Sequence, residues 1–241
     1  FINTSTSTVT IAGKSIAPGT VRVIAGGGTE LGVGIPGTRA DLGAVTGLDT
    51  SADGNLLFFS AQIDREVRVL NVSASAITVA GVSVASGNIG TLATGFGESL
   101  SGIVVNNATG EVYAADATPG INKVYKISTA GALTVVAGNG ATTKPEDVFA
   151  GGAALNVPLL QPRAVDLDSS NRLVIADTGH GRVIRVEANG TAVLINQFPV
   201  VDGQPNPYPV GLCVQGTNTY VALGNQQTVV RLSGGSPVTV A

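Results

Sequence analysis

The chain has 241 residues, of which 12% are charged, with a net charge of −3 and a mean hydropathy of +0.35. That length suits one all-β domain, 1–241, and the scattered lysines and arginines exclude a nucleic-acid footprint or a polybasic lipid patch. No apolar run approaches the roughly 18 residues of a membrane-spanning helix and no basic-then-apolar leader is present; the sequence opens on Phe1 without an initiator Met, and the expectation is a processed, secreted protein acting outside the cell or at its surface.

In chain order, the first element is an arm over 1–19. Its core, STVTIAGKSIAP (7–18), alternates Val/Ile with Thr/Ser around a central Ala-Gly, the period-2 pattern of a two-stranded hairpin with one apolar edge at Thr8, Val9, Thr10 and Ile11. A strand follows at 20–26 (TVRVIAG), with Val21, Val23 and Ile24 as its apolar residues. This whole region recurs: residues 2–28 align without gaps on residues 70–96, at 11 identities over 27 positions. The last eleven residues, RLSGGSPVTVA (231–241), match the front of the same segment, so Val238, Thr239 and Val240 read as the first half of another arm.

Between these ends, four stretches share one order of apolar strand, polar turn, second strand and basic third strand: 45–72, 100–127, 162–186 and 209–232. Outer strands follow three of them, at 88–95, 132–138 and 191–195. The fourth triplet has no such strand after it, and 20–26 has no triplet of its own. The expected fold is therefore an all-β propeller of four-stranded antiparallel blades, four by literal count with up to six possible, with repeats at 45–99, 100–161, 162–208 and 209–241. The N-terminal strand is expected to complete the last blade and close the ring.

The run VVAGNG (135–140), then FAGGAAL (149–155), QPRAVDLD (161–168) and NRLVIADTGHGRV (171–183) resembles the NHL-repeat β-propeller family. The resemblance covers about two thirds of the chain and implies the blade fold more strongly than any function. NHL propellers usually have six blades, which leaves the blade number open.

Little of the sequence carries chemistry. His180 is the single histidine, so a three-histidine zinc site or a serine-histidine-aspartate arrangement cannot be built, and His180 reads as a turn residue. A lactonase-like calcium ring would need Asp49, Asn106, Asp116, Asp166 and Asp177 to converge, but Asp116 and Asp177 read better as turn caps. The single cysteine, Cys213, lies in an apolar strand and reads as a buried, inert thiol. Asn3, Asn71, Asn107 and Asn189 open glycosylation sequons that a Ser/Thr-rich chain yields by chance.

Arg68, Lys126, Arg185 and Arg231 recur on third strands as solvated faces or as a polar interface. The expectation is a protein without enzymatic activity, cofactor or metal. Its partner would be a second copy of itself, joined by exchange of terminal strands into an extracellular filament or surface layer. Alternatives are a monomeric module binding a protein, glycan or small ligand on its loop face, and a calcium-dependent hydrolase. Whether the two terminal arms pair within one chain or between chains is open.

Overall fold

The computed structural model describes residues 1–141, 148–199, 207–234 and 237–240; Ser236 and Ala241, which bound the predicted C-terminal half-arm, lie outside the described residues. A hairpin of β1 (Val9–Ile11) and β2 (Lys14–Ile16) comes first. Blade I consists of β3 (Val45–Thr50), β4 (Leu56–Ala61) and β5 (Glu66–Asn71), then a second hairpin, β6 (Ile77–Val79) with β7 (Val82–Val84), and the outer strand β8 (Ile89–Thr94). Blade II is β9 (Leu100–Val105), β10 (Val112–Asp116), β11 (Lys123–Ile127) and β12 (Leu133–Ala137). A short β13 (Gly152–Ala153) adds to the edge of blade III, which is β14 (Pro162–Leu167), β15 (Leu173–Asp177), β16 (Arg182–Val186) and β17 (Thr191–Gln197). Blade IV is β18 (Pro209–Gln215), β19 (Asn218–Leu223), β20 (Thr228–Leu232) and β21 (Val238–Thr239).

The protein is thus an all-β propeller of four antiparallel blades, and each predicted triplet forms the inner three strands of one blade. Second strands such as β4 and β15 are apolar on both faces because blades stack face to face and bury both. The core accordingly lies between blades. Phe58, Val67 and Val69 of blade I meet Ile103, Val105 and Ala114 of blade II. Val104 and Ala115 of blade II meet Val165, Ile175 and Ile184 of blade III, and Val174 and Val183 meet Val221, Leu223 and Val230 of blade IV.

Inner strands approach one another closely around the axis, so each carries a small residue at its third position. A Cβ on Gly47 would lie 2.4 Å from Ser101 O, and one on Gly102 would lie 2.7 Å from Arg163 O. Two aspartates tie these strands together. Asp49 Oδ1 accepts from the Thr50 amide and Oδ2 from Val105 across the first junction, while Asp166 does the same with Leu167 and, across the third, Val214. Two carboxylates thereby satisfy one equivalent N–H in each of the four inner strands, which otherwise face the axis unpaired.

Closure by the N-terminal strand is corrected. Val21 bridges Ile2, Arg22 N–H donates to Phe1 O, and Ile24 and Ala25 pack on the outward face of blade I with Phe59, Leu70 and Ile89. The segment 20–26 is therefore anchored beside blade I, and blade IV takes its outer strand from β21 instead. Inner-strand packing runs β3 to β9 to β14 to β18 without a comparable contact from β18 back to β3. Leu48 is 60% exposed, whereas its counterparts Ile103 and Val165 are each 6% exposed against the preceding blade.

Candidate functional site

The repeat seen in the sequence is a repeat in three dimensions. Val9 pairs with Ile16 as Ile77 pairs with Val84, and Ile2 bridges Val21 as Leu70 pairs with Ile89. Ala12 and Ala80 share a left-handed φ of +48° at the hairpin tips. The Asn3 amide donates to Ser7 O and Ile16 O at 2.8 Å each, as the Asn71 amide donates to Ser75 O at 2.7 Å and Val84 O at 2.8 Å. Both sequon asparagines are thus buried and fully engaged.

Residues 2–28 therefore have the form of the outer half of a blade, with no inner strands paired to them among the described residues. This half-blade stands where a blade before blade I would stand, with Ala12 N–H donating to Val72 O just past the end of β5. Its apolar residues show what is missing: Ile2 is 57% exposed where Leu70 is 0%, and Val21 is 67% exposed where Ile89 is 1%. Of the predicted assembly residues, Thr8 and Thr10 are exposed, Val9 and Ile11 are half-buried in β1, Ile24 is half-buried on blade I, and Val23 is exposed.

At the far end, blade IV presents the complementary deficit. The surface of β18, β19 and β20 that would meet a following blade carries Cys213, Tyr220, Ala222, Val229 and Arg231. Cys213 is exposed, correcting the expected buried thiol: its strand is apolar, but among the described residues no further blade packs on this face. Lys126 and Arg185, the counterparts of Arg231, pair with Glu111 and Glu187, while Arg231 Nε is buried without a hydrogen-bond partner among the described residues. Gly211, unlike Gly47 and Gly102, has room for a Cβ, which would meet only Ala222 Cβ at 3.7 Å. Along the outer edge, Val238 and Thr239 pair with Arg231 and Val230, and Val240 N–H donates to Val229 O. In the sequence repeat Val238 and Thr239 correspond to the β6 arm, yet here they fill the slot of an outer strand.

The acidic candidates do not form a calcium ring. Asp116 is buried and accepts from Gly97 and Thr118, Asp177 accepts from Leu160, and Asn106 caps its own hairpin through Ala108 and Thr109. Among the described residues no three metal-ligating side chains group together. His180 sits in a buried one-turn helix, Thr178–His180, with Nδ1 2.7 Å from Asp177 Oδ2, and Arg182 Nε donates to the same oxygen at 2.7 Å. Arg182 also lies over the Phe149 ring, 5.1 Å from its centroid. This network fixes the turn that sequence reading expected, but buries it more deeply.

No protein-family model matches the chain, and no curated protein matches its sequence. Solved structures do match. A nidogen–laminin complex shares a TM-score of 0.60 at 18% identity, covering 83% of this chain and 64% of that one. A streptogramin B lyase shares 0.57 at 15%, covering 81% and 53%. A protein assigned as a gluconolactonase shares 0.54 at 15%, covering 81% and 62%. At these identities the likeness establishes the propeller fold, and the chain spans about half to two thirds of the length of these neighbours. The expectation of a protein without enzymatic activity is overturned, because the neighbours include a lyase and a lactonase-type protein on the same architecture.

Proposed function

We propose that this chain is an NHL-like propeller subunit that covers its open blade faces with a second copy of itself, head to tail. In this arrangement the half-blade at 2–28 of one copy lies face to face on β18–β20 of another, and β21 keeps its place at the edge of blade IV. The observation that carries the reading is the exposure of Ile2 and Val21, whose internal counterparts are buried. Each apolar side chain so covered contributes roughly 1.5–3 kcal/mol. The two surfaces repeat a pairing that the chain already makes three times, with a following face of one blade on a preceding face of the next. Because the contact is heterologous, repeated addition gives a closed ring or an open homopolymer. The low charge of the chain suits growth of such a polymer outside the cell.

The test is the mass distribution of the full chain by light scattering across a hundredfold concentration range, beside a double variant, Ile2→Asp with Val21→Asp. The wild-type chain is expected to assemble, and the variant to remain a folded monomer whose unfolding midpoint matches that of the dilute wild-type chain. A wild-type chain that is monomeric throughout, or a variant that assembles equally well, overturns the proposal.

A further inference from the structure

One register irregularity occurs at the same place in all four inner strands. In β3, Val45 pairs with Ala61 and Gly47 with Ser60, so Thr46 is extra; Arg163 in β14 and Val210 in β18 are extra in the same way, and Ser101 lies in the matching bulge of β9. Bulges re-aim side chains, and these four converge on one polar cavity of about 370 Å³ at the end of the axis where the inner strands begin. Its remaining lining includes Gln62, Leu100, Pro119 and Gln161.

The four bulge residues are not doing the same job. Thr46 Oγ1 donates to Leu100 O at 2.7 Å, tying blade I to blade II, and Ser101 Oγ lies 3.1 Å from Pro162 O, tying blade II to blade III. At the third junction the corresponding carbonyl, Pro209 O, is taken by Thr178 Oγ1 at 2.6 Å. Arg163 is thereby released from the structural role. Its guanidinium is the sole charged group lining the cavity, and among the described residues no ion pair to it is found. Beside it, Gln161 has a left-handed φ of +50° and donates its backbone N–H to Asn122 Oδ1 at 2.8 Å, a strained backbone of the kind found at ligand sites.

We infer that this axial mouth is a binding site for a small organic carboxylate. The planar guanidinium of Arg163 matches two carboxylate oxygens, the side-chain amide of Gln161 offers a further donor, and Leu100, Pro119 and Val210 suit a short hydrocarbon tail. Of its lining residues only Val210 lies on β18, a strand of the proposed assembly surface.

The experiment is an amide-resolved NMR titration of the full chain with hexanoate, with hexanamide as the neutral isostere and inorganic phosphate as the alternative anion. Hexanoate is expected to shift the resonances of Thr46, Ser101, Gln161 and Arg163 saturably, more tightly than either comparator. Arg163→Gln should weaken hexanoate at least tenfold and leave hexanamide unchanged, and Arg163→Lys should restore part of the loss. Arg163 is exposed, so these variants should keep the wild-type amide spectrum away from the mouth. Absence of saturable shifts, equal affinity in Arg163→Gln, or a preference for phosphate or hexanamide overturns the inference.

Discussion

Residues 2–28 and 70–96 share hairpin, hydrogen-bond pattern and pairing register, and differ in what they touch. The copy at 70–96 has β3, β4 and most of β5 to lie against, and its Leu70 and Ile89 vanish into the core. The copy at 2–28 has the same local structure and leaves Ile2 and Val21 in solvent. Local structure in this protein is therefore specified within the segment, by the Asn3 or Asn71 amide and the left-handed Ala-Gly tip. Burial is supplied from outside, by inner strands that one copy has and the other lacks.

The comparison breaks most visibly at its apolar anchor. Leu70→Ala should cost about 3 kcal/mol in urea unfolding, because it opens a cavity in a closed core, while Ile2→Ala should change global stability by no more than about 0.5 kcal/mol. Equal costs at the two positions would show that the half-blade is as fully packed as its copy. Next is the polar anchor. Asn71→Ala strands the carbonyls of Ser75 and Val84 and should cost about 2 kcal/mol. Asn3→Ala removes the same bonds but should melt only the β1–β2 hairpin, read as lost amide-exchange protection over 9–16 at an unchanged unfolding midpoint.

A similar contrast separates the closed junctions between blades from the open one. Gly47→Ala drives a methyl into Ser101 O and should cost about 1–3 kcal/mol, whereas Gly211→Ala meets no neighbouring blade and should leave the isolated subunit's stability within about 0.5 kcal/mol of wild type. If the proposed assembly forms, Gly211→Ala should instead weaken association, a difference read by comparing dilute and concentrated samples.

These contrasts mark how far the sequence could be read. The triplets at 45–72, 100–127, 162–186 and 209–232 were legible because each strand carries its own turn residues and period. The repeat of 2–28 on 70–96 was legible because it is a matter of spelling. Closure was not, since whether 20–26 reaches blade IV depends on the angle between blades, which no local pattern encodes. Cys213 was misread for the same reason: an apolar strand says that it packs on something, not on which side. The axial residues were missed although a signal existed. Written one above another, the inner strands read VTG, LSG, PRA and PVG, with a small third residue in every case and a second residue that changes chemistry from blade to blade.

The smallest effect expected concerns the aspartates that tie the closed junctions. Burial raises the pKa of Asp166 above the usual carboxylate value, the Val214 and Leu167 amides oppose that rise, and the charge of Asp49 adds to it. The folded chain therefore keeps a proton on Asp166 over a window in which the unfolded chain, with its ordinary pKa near 3.8, has lost it. The sign follows: this group's contribution to stability is fully present below pH 3.8, declines as pH rises through the raised native pKa, and is flat above that. Asp49→Asn removes the like charge and should lower the Asp166 pKa, narrowing the window, as carboxyl-carbon NMR would show. An unchanged titration would mean that the two carboxylates do not sense each other around the axis, and that the tie across the third junction is independent of the tie across the first.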